Sequence, residues 1–349
     1  MQTESEDFQL SCELHGHQDE VRGICACGDR VFATASRDKT IRSWVQSEDN
    51  GYVPLLTYDG EGGHTNFVTS VVYVEAGANE QFPTGAIISG SRDKSVIVWD
   101  PETARPIQTL SEHSEQVMGV NTAANGDVLS ASLDGTARAW RGGKCSEVLR
   151  GHEGSVLAVL GLPNGEILTA SQDKTIRRWS GSQCTGVLQG HTDTVRALAL
   201  LPGGFGVASA SHDCTVRTWT LDGSPIGTME GHTSLVYTVA CAEGILASGS
   251  EDNTMRIWTM DGVCTQVVPH PACVWALTFL PSGDLATACG DAVARVWTRC
   301  ADRCAPAELL AAYQRTPPPP GELLSIEGTN SRNLALTHSA HTSNAAESC

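Results

Sequence analysis

Residues 151–179 read Gly151-His152-Glu-Gly-Ser-Val-Leu-Ala-Val-Leu-Gly-Leu-Pro-Asn-Gly-Glu-Ile-Leu-Thr169-Ala-Ser-Gln-Asp173-Lys-Thr-Ile176-Arg-Arg-Trp179. Four residues in this stretch recur along the chain at matched offsets. One is a Trp six residues after an Asp: Trp44, Trp99, Trp140, Trp179, Trp219, Trp258 and Trp297. The Asp residues are Asp38, Asp93, Asp134, Asp173, Asp213, Asp252 and Asp291. Four residues before each Asp is a hydroxyl: Thr34, Ser89, Ser130, Thr169, Ser209, Ser248 and Thr287. A His lies 20 to 29 residues before each Asp: His17, His64, His113, His152, His191, His232 and His270.

From Trp99 onward the Trp spacings are 41, 39, 40, 39 and 39 residues; the first, 55, is longer. A period near 40 with Gly-His and Asp-x5-Trp is the signature of WD repeats, each folding as four short strands of one propeller blade. Gly-His then precedes strand a, the hydroxyl lies on strand b, Asp sits in the b–c turn and Trp on strand c. Three residues after each Asp is an apolar residue (Ile41, Val96, Ala137, Ile176, Val216, Met255, Ala294), as a strand buried between blades requires. The four recurring residues form a chain of donors and acceptors. The indole N–H donates to the hydroxyl, the hydroxyl to His, and His to the Asp carboxylate. Buried and fully satisfied, the chain stiffens its blade. Repeated in every unit, these His and Asp read as structural and not catalytic.

Apolar residues three before His mark the ends of strands d: Leu110, Leu149, Leu188, Met229 and Val267. Leu14 stands in the same relation to His17. The stretch Phe8–Leu14 is therefore expected to be strand d of the seventh blade, closing the ring and removing its open edges. The expectation is an all-β, seven-bladed WD-repeat propeller over residues 8–298, closed by the N-terminal strand, after a disordered N-terminus at 1–7. Residues 299–349 read as a tail with a short helix at 305–314, started by Pro306, and otherwise disordered. Glu112 and Pro269 replace the Gly before His in the third and seventh units, and the second unit carries extra residues near 75–85.

The chain has 349 residues and a formal net charge of −17. That charge argues against nucleic-acid binding, and no apolar run is long enough for membrane insertion. Thirteen Cys without a CxxC pair point to reduced thiols and a cytoplasmic and nuclear location. Cys300 and Cys304 lack a matching ligand pair, so neither metal nor cofactor is expected. Nucleophile-elbow, phosphate-loop and zinc-protease motifs are absent, and no enzyme activity is expected.

Function in such a ring lies on its surfaces. Two positions per blade are expected on the top face, where the d–a and b–c loops meet. One follows the Val that opens strand a: Arg22, Thr69, Met118, Leu157, Arg196, Tyr237 and Trp275. The other precedes the Asp: Arg37, Arg92, Leu133, Gln172, His212, Glu251 and Gly290. Tyr237, Trp275 and Arg22 become neighbours on closure, and these residue types are enriched at binding hot spots. The plainer reading is that Trp275 packs inside the channel mouth. Arg22, Arg37, Arg92 and Arg196 would form a basic rim on an acidic protein. The Arg four after Asp (Arg42, Arg138, Arg177, Arg217, Arg256, Arg295) reads as blade packing.

Several stretches resemble the propeller of the phospholipase A-2-activating protein family. They are Leu10-Ser-Cys-Glu-Leu-His-Gly-His17, Val21-Arg-Gly, Ser36-Arg-Asp-Lys-Thr40, Gly63-His-Thr-Asn-Phe-Val68 and Val267-Val-Pro-His-Pro-Ala-Cys-Val-Trp-Ala276, with the links Gly142-Gly-Lys-Cys145 and Gly181-Ser-Gln-Cys184. The resemblance covers about residues 8–298. It implies a non-catalytic adaptor that binds ubiquitin on the propeller's top face and serves ubiquitin homeostasis and the degradation or sorting of ubiquitinated proteins. Arg22, Arg196, Tyr237 and Trp275 are similar to the family's ring; Thr69, Met118 and Leu157 match it loosely, Leu157 standing where the family tends to have an aromatic. In that family a PFU and a PUL domain follow, the latter docking on the AAA unfoldase valosin-containing protein. Residues 305–349 resemble neither, so unfoldase docking is not expected of this sequence. The alternative is a generic WD-repeat scaffold, with a ubiquitin-ligase substrate receptor as a variant. Such receptors often carry Trp-Asp-x-Arg after strand c; here Trp99-Asp100 is followed by Glu102 in the Arg place.

Overall fold

A computed structural model describes residues 4–48, 51–77, 81–242 and 244–315. Seven four-stranded antiparallel sheets follow one another, six of them in the order a-b-c-d along the chain. The seventh takes its strands a, b and c from Val274–Phe279, Leu285–Cys289 and Ala294–Cys300, and its strand d from Glu4–Leu14. Leu14 pairs with Ala294, Glu13 with Arg295 and Leu10 with Trp297. The ring is thus closed by its N-terminal strand, as the spacing of Leu14 and His17 predicts. That strand begins at Glu4, so residues 4–7, expected to be disordered, belong to it; Glu4 pairs with Cys300 past an irregularity in the register.

The outer edge of this strand is not left bare. The Gln266 amide of blade six donates to the Phe8 carbonyl at 2.8 Å and accepts from the Phe8 N–H at 2.9 Å. The chain beyond Cys300 returns along the same edge, where Ala305 N–H donates to the Leu10 carbonyl and the Ser11 hydroxyl to the Arg303 carbonyl. Satisfying these backbone groups removes the template for edge-to-edge association. Helix α1 (Ala307–Arg315) follows Pro306, shifted by one or two residues from the expected 305–314. Leu309, Leu310 and Tyr313 pack against the cluster that joins blades six and seven. The rest of the predicted tail, 316–349, lies outside the described residues.

Between each pair of neighbouring blades lies one apolar cluster, and each contains the repeat Trp of the later blade. Trp44, Trp99, Trp140, Trp179, Trp219 and Trp258 are 0–1% exposed, and Trp297 is 3% exposed. All seven therefore take the buried strand-c place that their spacing predicts. The apolar residue three after each Asp is no more than 1% exposed, the burial that its place on a central strand demands. Close approach of the blades fixes small residues at the seams: a Cβ on Gly90 would lie 2.7 Å from Val117 Cγ1, and one on Gly119 2.9 Å from the Leu157 carbonyl. In blade six the strand-d residue opposite Met255 is Val268, not Val267 as the three-residue offset predicts. The d–a connection there is one residue shorter.

Candidate interaction surface at the propeller mouth

The tetrads bind the two top loops of each blade together. In blades one to six, His Nδ1 donates to the Asp carboxylate at 2.7–2.9 Å. His Nε2 accepts from the Ser or Thr hydroxyl at 2.7–2.9 Å. The indoles of Trp44, Trp99, Trp140, Trp179, Trp219 and Trp258 donate to those hydroxyls at 2.7–2.9 Å. The other carboxylate oxygen accepts from a hydroxyl two residues after Asp: Thr40, Ser95, Thr136, Thr175, Thr215 or Thr254. The residue following His donates its backbone N–H to the oxygen that His holds. The residue after Asp takes a left-handed turn conformation, with φ from 61° at Asn253 to 78° at Gly135.

These contacts set the acid–base behaviour. Burial alone would push the Asp38 carboxyl up, but hydrogen bonds from His17 and Thr40 outweigh it and hold it well below the usual carboxylate range. Asp93, Asp134, Asp213 and Asp252 are held down in the same way. Burial lowers the His152 and His232 imidazoles against the opposing pull of Asp173 and Asp252.

Blade seven departs from the expected tetrad. His270 Nε2 and the Trp297 indole reach Thr287, but His270 Nδ1 donates to the Val268 carbonyl at 3.2 Å and not to Asp291. The cause is local. Pro271 has no N–H to offer Asp291 and Val293 has no hydroxyl. Arg295 takes the carboxylate instead, at 2.6 Å, and also pairs with Glu13 at 2.9 Å on the closing strand. The Arg expected only to pack thus ties the ring shut. In blade three the substituted Glu112 pairs with Arg138 at 2.9 Å; in blade seven the Pro269 carbonyl accepts from the Tyr313 hydroxyl.

The b–c turn of each blade is also tied to the start of its strand a. In all seven blades the N–H of the residue before Asp donates to the carbonyl of the residue before the strand-a Val, at 2.9 Å (Arg37 to Glu20, Arg92 to Phe67, and so on to Gly290 and Cys273). Arg22, Arg37, Thr69, Arg92, Met118, Arg196 and Trp275 gather with Phe67 around a narrow, solvent-open pit of about 20 Å³. The Trp275 ring stacks on Tyr237 with centroids 4.2 Å apart, and the Arg22 guanidinium lies 3.5 Å from the Trp275 ring centroid. Arg37 and Arg92 sit over Phe67. Gly290 admits Trp275, since a Cβ there would stand 3.3 Å from its indole nitrogen.

Three predicted members are buried. Thr69, Leu157 and Tyr237 are each under 10% exposed. The Thr69 hydroxyl contacts the Gly90 and Val117 carbonyls, and the Tyr237 hydroxyl donates to Glu251. Leu133, Gln172, His212 and Glu251 do not line the pit. The basic rim is not bare either: Glu20 pairs with Arg22 at 2.7 Å and with Arg37 at 2.8 Å. Glu20 and Phe67 escape the sequence reading because both occupy a third top-face position, just before the strand-a Val. A second concavity, about 410 Å³, lies on the side of the ring between α1, Phe8–Leu10 and Gln266–Pro269.

A ring of seven blades, each pinned by a polar tetrad or its blade-seven variant and opening on an arginine-aromatic mouth, defines a WD-repeat propeller. The chain belongs to the family described as WD domain, G-beta repeat, matched at residues 8–44, 53–100, 104–141, 143–180, 182–220, 223–259 and 262–298. It is similar to phospholipase A-2-activating protein of Xenopus laevis, 34% identical over 41% of this chain and 18% of that protein. It is also similar to ubiquitin homeostasis protein lub1 of Schizosaccharomyces pombe, 39% identical over 66% of this chain and 31% of that protein. Among solved structures it resembles the WD40 β-propeller domain of Doa1, with a TM-score of 0.77 and 28% identity, covering 86% of this chain and all of that one. The matched stretch spans less than a third of either curated relative.

Proposed function

We propose that this chain is a non-catalytic adaptor that binds ubiquitin at the propeller mouth and serves ubiquitin homeostasis, ubiquitin-dependent degradation or sorting in the cytoplasm and nucleus. The observation that carries this reading is the Tyr237–Trp275–Arg22 stack across blades six, seven and one. Large aromatic area held rigidly beside an Arg is the composition of a binding hot spot, because little side-chain entropy is left to lose on association. The likeness to a protein named for ubiquitin homeostasis supports the choice of partner.

Calorimetric titration of the full chain with ubiquitin tests the reading. Trp275→Ala is expected to fold, by circular dichroism, and to weaken binding at least about tenfold, or 1.4 kcal/mol. A folded parent that binds no ubiquitin at millimolar concentration would overturn the proposal and leave a scaffold for other partners.

A further inference from the structure

The mouth holds more donors than the protein satisfies. Among the described residues, Arg22 and Arg37 share Glu20, and Asp19 approaches Arg37 at 3.9 Å. Arg92 and Arg196 have no carboxylate partner and no hydrogen-bond acceptor for their guanidiniums among those residues. Four buried nitrogens at or beside the pit have no hydrogen-bond partner among the described residues: Trp275 Nε1, Arg22 Nε, Arg37 Nε and His212 Nε2. This gathering of arginines, only two of them paired with a carboxylate, stands on a chain with a net charge of −17.

Such an arrangement is unfavourable by itself. Burial pushes the Arg196 guanidinium down to about 10, and the fields of Arg22 and Arg92 push the same way. Burial lowers Arg22 as well, with Glu20 opposing and Arg37 and Arg92 adding to the effect. Partly desolvated guanidiniums without acceptors destabilise the empty mouth, and an anion with several oxygens would relieve both the repulsion and the orphaned donors.

We propose that the mouth binds a phosphomonoester group presented by a partner polypeptide, with Arg92 and Arg196 as its direct donors and Arg22 completing the cradle. A carboxylate brings a single charge and two oxygens. A phosphomonoester brings about 1.5–2 negative charges and three strong acceptors at neutral pH, a better match to the excess of arginine over Glu20. Arg is suited to this because its planar fork meets two oxygens at once. The site goes beyond ubiquitin recognition and does not depend on it: its ligand is a modified side chain, and its two main residues lie outside the Tyr237–Trp275 stack.

The test uses the full chain and three pentapeptides of one sequence, centred on phosphothreonine, threonine or glutamate, titrated at fixed ionic strength. Side-chain NMR of arginine Nε–Hε groups reports the site directly. The phosphothreonine peptide is expected to bind at least tenfold more tightly than the other two and to shift the Arg92 and Arg196 signals. Arg92→Gln and Arg196→Gln are each expected to weaken it at least tenfold, and Arg92→Lys less than Arg92→Gln. The titrations contain no ubiquitin, so their outcome is read separately from the ubiquitin reading. Arg92 is partly exposed, so its variants keep the test informative if Arg196→Gln fails to fold. Equal binding of the glutamate and phosphothreonine peptides overturns the assignment to phosphate. Binding that survives the Arg92 substitutions, or shifts confined to other arginines, overturns the site.

Discussion

The tetrad carboxylates in blades one to six each accept from an imidazole, a hydroxyl and backbone N–H groups. This concentration makes them sensitive to loss of a single oxygen. Replacing one carboxylate oxygen by an amide leaves either the His152 Nδ1–H or the Thr175 hydroxyl facing a donor. Asp173→Asn is therefore expected to lower unfolding free energy by about 1–3 kcal/mol, read by urea denaturation; an unchanged midpoint contradicts the network. Acid sensitivity follows as well. His270 is pushed down to about 3 by burial and then by the Arg295 charge, against about 6.5 unfolded. Between these values the unfolded chain binds the proton and the native one does not, so His270 stabilises fully above pH ~6.5 and progressively less as pH falls toward 3. His270→Gln should flatten the fall in stability over that window by on the order of 1.4 kcal/mol per pH unit; an unaltered slope would show that another group carries it. The depressed carboxylates act lower, holding full effect above about 3.9 and losing it below. Spacing alone makes the tetrads legible, from Trp44 in the first unit to Trp297 in the last. It does not tell that Pro271 and Val293 withdraw two of Asp291's donors, because an offset counts residues and not hydrogen-bonding groups. The hydroxyl two after Asp, present in six units and Val in the seventh, is the signal that would have found it.

Closure belongs to the strand Glu4–Leu14. Its inner edge is paired with Ala294–Cys300, and its outer edge is met by Gln266 and the returning segment 303–305. Arg295, 3% exposed at its side chain, bridges this strand to the b–c turn of its own blade. Glu13→Gln removes one of its two carboxylates from a largely buried site, and a loss of about 1–3 kcal/mol in unfolding free energy is expected. A variant as stable as the parent by thermal and urea denaturation would show that the bridge does not secure the ring. The strand from Phe8 onward is readable from Leu14 and His17. Residues 4–7, Glu-Ser-Glu-Asp, offer no apolar alternation, and an edge strand that pairs only at intervals needs none. Helix α1 is legible from Pro306 at its first turn, but its seat on blades six and seven is a tertiary fact with no local trace.

At the scale of the whole ring, closure brings Arg22 and Trp275 into contact although 252 residues separate them in sequence. Counting one place on from the strand-a Val and one place back from the Asp is enough to name seven of the pit's residues. It cannot rank them by depth, so Leu157 and Tyr237 are read as surface although both are buried. Glu20 and Phe67 stay unread because the residue before the Val is not counted. The central claim is that the exposed part of this mouth is a ubiquitin site. The most direct measurement is an amide NMR footprint of isotope-labelled ubiquitin titrated with the full chain, beside folded Trp275→Ala. One contiguous set of shifted ubiquitin amides is expected with the parent, and its loss with the variant. An identical footprint with Trp275→Ala, or none with the parent, would contradict the claim.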